Sequence, residues 1–226
     1  MADLFYKSFI KANRWQMYLQ GLGITMWVTV LAAALGIALG TLACLFNMQR
    51  TKDGRRTIGS MIAYVYIDVI RGTPTMIQLL IMWNVIMASS RNKIFVAVMA
   101  FGINSGAYVA EILRGGIQSV DPGQMEAGRS LGMTRWETMI SVVLPQAFKN
   151  CFPSLLNEFI TLLKETSIAS AVGLRDLTHA ADLVSASTYE IFMPLLIAAL
   201  MYYIVIKVLS ILFNKLERRL RESDIR

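Results

Sequence analysis

Residues 126–147 read EAGRSLGMTRWETMISVVLPQA, and the reading of this stretch decides the fold. Strongly apolar runs lie on both sides of it, yet it holds Glu126, Arg129, Arg135 and Glu137. Charges at the centre of a membrane helix are costly, so it is not a span. It does carry helix punctuation. Asp121-Pro122-x-Gln124 is a helix start, with a capping side chain, a proline at the first helical position and a glutamine able to reach back. That helix is expected to run to about Leu131, which puts Gly132 where a left-handed C-terminal residue belongs. Thr134-x-x-Glu137 then fits a capping box, and a second helix is expected to run to about Val143, because Leu144 precedes Pro145. Two short helices with a tight turn are therefore expected over about 121–145. Leu131, Met133, Trp136, Met139 and Ile140 give them an apolar side, which in a helical hairpin commonly packs on the same chain.

The rest of the chain is membrane-like. It has 226 residues, 55% hydrophobic and 16% charged, against about 25% charged in soluble domains. Apolar runs place spans at about 24–46, 61–88, 94–113, 152–172 and 191–213, within one all-α, polytopic membrane domain over 21–213. The first span contains Gly36-x-x-x-Gly40, a spacing that admits a close helix neighbour. The second is too long for one straight crossing, about 42 Å of helix against about 30 Å of hydrocarbon. It holds Asp68-x-x-Arg71-Gly72-Thr73-Pro74, so a kinked or interrupted helix that still crosses once is expected.

The net charge of +7 lies in the flanks of the apolar runs, which makes it a topology signal and not a nucleic-acid footprint. The connectors 47–59 and 114–151 and the tail 214–226 hold thirteen basic residues, Arg50, Lys52 and Arg226 among them, against six on the other side. Positive-inside then puts residues 1–20 outside and the basic tail in the cytoplasm. In the external segment Trp15, Tyr18 and Leu19 have the spacing of an amphipathic helix, and no cleaved signal peptide is expected. Cys44 and Cys151 form no CxxC motif, and His179 beside Asp176 and Asp182 reads as a solvated connector, so no metal site is expected.

Glu126-Ala127-Gly128, then Gly132, then Leu144-Pro145 resembles the EAA loop of the permease subunits of ATP-binding cassette importers, with Gly128 in place of the second alanine. Further stretches resemble the polar amino acid permeases of that family: Arg71-Gly72-Thr73-Pro74, Glu111 to Ile117, Leu144 to Ala147, Asn157 to Ile160, and Leu163 to Ser167. The resemblance implies a type I importer permease with five spans. It implies pairing with a second permease subunit, as a homodimer or with a paralogue, and two cytoplasmic ATPase subunits that bind ATP and Mg. It also implies an extracytoplasmic substrate-binding protein or domain and an amino acid substrate. In such a permease the loop forms coupling helices that dock on the ATPase.

Span four carries Glu158, Lys164 and Glu165, and ionisable groups in spans face the bundle interior, pair together or line a path. Asn157, Thr161 and Lys164 share one helical face. With Arg71 and Thr73 at the helix break they offer a zwitterion both acceptors and donors, which makes Asn157, Glu158, Thr161, Lys164, Arg71 and Thr73 the candidate pathway. Lys164–Glu165 and Asp68–Arg71 are the expected structural ion pairs. The chain has no GxxxxGK[ST], GxSxG or HExxH motif, so neither an intrinsic ATPase nor a membrane-embedded enzyme is expected. Charged spans and a broken helix also suit a channel or secondary transporter, and the EAA-like loop is the feature that separates the two readings. Both signs of charge along the path leave arginine, glutamine, histidine, glutamate and cystine open as substrates.

Overall fold

The computed structural model describes residues 1–49, 51 and 53–222; Arg50, Lys52 and Arg226 of the topology count lie outside them. Every regular element among the described residues is helical: α1 Ala2–Phe5, α2 Arg14–Met48, α3 Ile58–Arg71, α4 Thr75–Ile81, α5 Lys93–Gln118, α6 Pro122–Ser130, α7 Arg135–Thr138, α8 Leu144–Glu165, α9 Leu177–Thr188 and α10 Phe192–Glu222. Three stretches are long and apolar enough to cross a membrane: Asp3–Met48, Lys93–Gln118 and Phe192–Leu220. Ile58–Arg71 and Thr75–Ile86 reach that standard only together, across the break between them. α8 covers the expected fourth span only as far as Glu165, and it falls short of the same standard because polar residues such as Asn150, Asn157 and Glu158 lower its hydropathy.

The chain divides into two compact units. The first comprises Met1–Leu35, Thr73–Ile103 and Phe159–Ile211. It has two apolar cores, one around Val28, Leu79, Val96, Phe101 and Leu162, the other around Tyr18, Leu177, Val184 and Ile197. The connector before α9 is tied down by Asp176, whose carboxylate accepts from the His179 and Thr178 amides at 2.9 and 3.3 Å. His179 thus meets Asp176 through its backbone. The Leu177 amide donates to Thr25 Oγ1 at 3.2 Å.

The second unit comprises Gly36–Gly72, Asn104–Glu158 and the chain from Leu212. In it α2 and α5 press together at the glycine pair. A Cβ on Gly40 would stand 2.6 Å from the Val109 side chain, and one on Gly36 would stand 3.0 Å from Ser105. The close approach expected of Gly36-x-x-x-Gly40 is therefore made within the chain. Ala43, Cys44, Ile67 and Ala110 complete the core of this contact.

The structure redraws several boundaries. α2 begins at Arg14, inside the expected N-terminal segment, because Ala12 and Asn13 are left-handed (φ 57° and 55°) and end the preceding turns. Within its first turns Tyr18 is fully buried, whereas Trp15 and Leu19 are exposed. Of the two forms expected for the second apolar stretch, kinked or interrupted, the structure has the interrupted one. The Gly72 amide closes the last turn of α3 on the Asp68 carbonyl at 2.9 Å, Pro74 is extended (ψ 134°), and α4 starts afresh at Thr75. Gln78 Nε2 secures the break by donating to Thr73 Oγ1 at 2.7 Å. The expected span at 152–172 is α-helical only to Glu165 and continues as a 3₁₀ helix over Thr166–Val172. The expected polar tail is helical as far as Glu222.

Candidate functional site

The stretch around residue 130 folds as a hairpin of the second unit. Asp121 caps α6 by accepting from the Gly123 amide at 2.8 Å, with Pro122 at the first helical position. Gln124 does not reach back; its side-chain carbonyl accepts from Gln146 Nε2 at 3.3 Å. Gly132 has φ +85°, the left-handed turn expected after α6, and its amide donates to the Arg129 carbonyl at 3.0 Å. The capping box is complete: the Glu137 amide donates to Thr134 Oγ1 at 3.2 Å, and the Thr134 amide donates to Glu137 Oε2 at 2.7 Å. The Thr134 amide, with its hydroxyl, holds the Glu137 carboxyl below the ordinary glutamate value.

Gly128 is buried, and a Cβ there would stand 2.4 Å from Thr138 Cγ2. Thr138 is itself fully buried and donates from Oγ1 to the Thr134 carbonyl at 3.0 Å. The exchange of alanine for glycine at 128 is thus matched by the threonine opposite. Glu126, Ala127, Gly132, Leu144 and Pro145 are all exposed. The apolar side divides. Met139 packs on Val120, Val143 and Ala147, whereas Leu131 and Trp136 point outward, 85% and 71% exposed. One part of the hairpin serves local packing and another offers a free apolar surface beside Gly132.

The second helix does not end near Val143. α7 passes through a π-helical turn, Met139–Val143, directly into α8, with the Leu144 amide bonded to the Met139 carbonyl. A proline strikes the carbonyl four residues before it in a regular helix. The wider i→i+5 turn just ahead of Pro145 moves that carbonyl aside, and the helix runs on.

On α8, Glu158 Oε1 accepts a hydrogen bond from Ser105 Oγ of α5 at 2.8 Å. Asn157, Thr161 and Lys164 form an exposed polar face on α8. Glu165 accepts from Thr75 Oγ1 at 3.5 Å and makes no ion pair with Lys164. The expected Asp68–Arg71 pair is also absent. Arg71 Nη1 reaches Glu111 Oε2 at 3.8 Å, and Glu111 in turn accepts from Arg114 Nε at 3.1 Å. An i, i+3 spacing brings the two residues within reach, but Glu111 on α5 offers a carboxylate already fixed by Arg114. Arg71 lines a cavity with these residues that Asn157, Glu158, Thr161 and Lys164 do not line. Thr73 lies in the exposed break, Arg71 lines the cavity, and Asn157, Glu158, Thr161 and Lys164 lie on α8. Thr138 and Ser105 escaped sequence reading, since each is an ordinary small hydroxyl residue whose partner is set by tertiary contact.

A family model described as the inner membrane component of binding-protein-dependent transport systems matches residues 53–222. The arginine transport system permease protein ArtQ of Bacillus subtilis is 37% identical over 209 residues, 91% of this chain and 93% of its own length. The glutamine transport system permease protein GlnP of Escherichia coli is 36% identical over the same shares, 91% and 93%. An amino acid ABC transporter whose crystal structure was solved with histidines has a chain of 43% identity and TM-score 0.84, covering 90% of this chain and 94% of its own.

Proposed function

Since the chain belongs to the family of inner membrane components of binding-protein-dependent transport systems, we propose that it is the permease subunit of an ATP-driven importer for a polar or charged amino acid. The observation that carries this reading is the full-length similarity to arginine and glutamine permeases, 91% of the chain in each case. The exposed polar face of α8 supports it, because such a face needs a partner subunit or an aqueous path and not lipid.

We count five passages: α2, the broken pair α3–α4, α5, α8 and α10. The odd number puts the two termini on opposite sides, and the basic connectors and tail favour the N-terminus outside and the C-terminus in the cytoplasm. Two permease subunits, identical or paralogous, enclose the path. Two ATPase subunits bind ATP and Mg beneath them, and an extracytoplasmic binding protein or domain delivers the amino acid. Glu126, Ala127, Gly128, Gly132, Leu144 and Pro145 belong to the coupling loop, Gly128 inside it and the others on its surface, with Leu131 and Trp136 as its apolar contacts. Asn157, Glu158, Thr161, Lys164, Arg71 and Thr73 are assigned to the path.

Co-purification with the ATPase and ATP-dependent uptake in proteoliposomes test the reading. Glu158→Gln and Asn157→Ala are expected to change uptake affinity or selectivity. No ATPase association, together with undiminished uptake when a bulky residue replaces Gly132, would favour a channel or secondary transporter instead.

A further inference from the structure

Within the second unit a cavity of about 460 Å³ is lined by the end of α2, by α3 and by the end of α5. Arg56, Asp68, Arg71, Glu111 and Arg114 all face it, so charges of both signs share one space. Their partners divide them unequally. Glu111 is held by Arg114, through Nε at 3.1 Å and a second bond through Nη2, and by Arg71 at 3.8 Å. Arg114 also donates through Nη1 to Gln118 Oε1 at 2.6 Å. Arg71 has only its one long ion pair and a cation–π approach to Tyr108, 5.6 Å from the ring centre. Arg56 lies 4.0 Å over the Tyr64 ring. The carboxylate of Asp68, one helical turn before Arg71, has no hydrogen bond or ion pair among the described residues.

A carboxylate and a guanidinium three residues apart on a helix ordinarily close on each other. Here both stay open to a cavity within the range of small-molecule sites, about 300–1,000 Å³. The chemistry that satisfies both is a neighbouring anion and cation on one small molecule. A carboxylate accepts a forked pair of bonds from a guanidinium, and an ammonium donates to a carboxylate. Phosphate, free or on a lipid, would suit the arginines but bring a like charge against Asp68.

We propose that this cavity is a second binding site for a free α-amino acid, with the carboxylate held by Arg71 and the ammonium by Asp68. The site rests on the reading of the chain as an amino acid permease with its C-terminus in the cytoplasm. In that orientation the cavity stands on the side where imported amino acid accumulates, and its lining does not include Glu158.

The test counts bound ligand on the assembled complex with its ATPase, in nanodiscs of neutral lipid. Radiolabelled L-arginine, L-glutamine, L-histidine and L-glutamate are the probes. For the amino acid that binds, two molecules per permease chain are expected. Glu158→Gln leaves one, and Asp68→Asn leaves one. In Glu158→Gln, the N-acetyl and the methyl ester forms of that amino acid compete at least about tenfold more weakly than the free form, a difference a single lost charge pair supplies. The capped ligands can also be tested on the unaltered complex, so the result stands if Asp68→Asn fails to assemble. One molecule per chain, abolished by Glu158→Gln and untouched by Asp68→Asn, overturns the second site and keeps the transport reading. Labelled inorganic phosphate that fills the site equally in Asp68→Asn overturns it in favour of an anion site. Binding of none of the four probes, with no ATP-driven uptake, overturns the transport reading itself.

Discussion

Gly128 and Gly132 stand four residues apart on one hairpin and are glycines for opposite reasons. Gly128 is helical and buried, and any Cβ would meet Thr138 Cγ2 at 2.4 Å. Gly132 has φ +85° and open space around it. The first sets how tightly two helices close; the second sets the turn and leaves bare surface beside Leu131 and Trp136. A motif that records only small residues at fixed spacing merges an internal fit with an external face. Substitution separates them, since internal damage appears in stability and external damage in transport.

The largest expected effect is external. Gly132→Trp should lower ATP-driven uptake by about tenfold or more, equivalent to about 1.4 kcal/mol or more in docking, while the amount of inserted permease stays unchanged. Normal uptake in that variant would break the assignment of the outer face to coupling. Gly132→Ala keeps the surface nearly bare and adds only the left-handed backbone cost, about 1 kcal/mol. Internally, Gly128→Ala should destabilise the hairpin by about 1–3 kcal/mol through overpacking, read by hydrogen exchange of the α6 and α7 amides. Thr138→Ser removes the methyl but leaves Oγ1 at 2.9 Å, whereas Thr138→Ala removes both atoms, so the double variant with Thr138→Ala should recover more of the loss than the one with Thr138→Ser. Additive losses would show that the contact is not the cause.

Smaller effects test the join between the two faces. Thr134→Ala should cost about 1 kcal/mol by removing the cap of α7. The pH dependence of the capping box is the smallest. The Glu137 carboxyl lies below its ordinary value in the folded hairpin, so its stabilisation is complete above the unfolded value, about 4.3, and is lost as pH falls through the folded one. Protection of the Thr134 amide should therefore fall below about pH 4.3, and Glu137→Gln should flatten that profile. An unchanged profile in Glu137→Gln would assign the protection to the turn alone.

Much of the hairpin was legible because its signals are local. Asp121, Pro122, Gly132, Thr134 and Glu137 each act on backbone within three residues, and each was placed as the sequence implied. The prolines divided. Pro74 follows Gly72 and ends a helix, as expected, whereas Pro145 follows a π-helical turn and is passed by. The sequence around each proline does not reveal whether the preceding turn can widen. Pairings across helices were less legible still. Gly36-x-x-x-Gly40 signalled a close neighbour but not that Ser105 and Val109 would provide it. Arg71 was matched to Asp68 by spacing, but Glu111 arrives from a helix forty residues on and takes it. The face shared by Asn157, Thr161 and Lys164 followed from helical period alone.

The passage of the chain through Pro145 has a mechanical consequence. From Arg135 to Glu158 the backbone is helical without interruption, a rod of about 36 Å at 1.5 Å per residue. A joint at Leu144 would have absorbed a push delivered near Gly132. Such a rod delivers the displacement it receives, softened at the wider turn over Met139–Val143 and at Pro153, which leaves out one backbone hydrogen bond inside α8. Its far gauge is the 2.8 Å bond between Ser105 and Glu158: a stroke entering at one end is read at the other as a bond stretched or released.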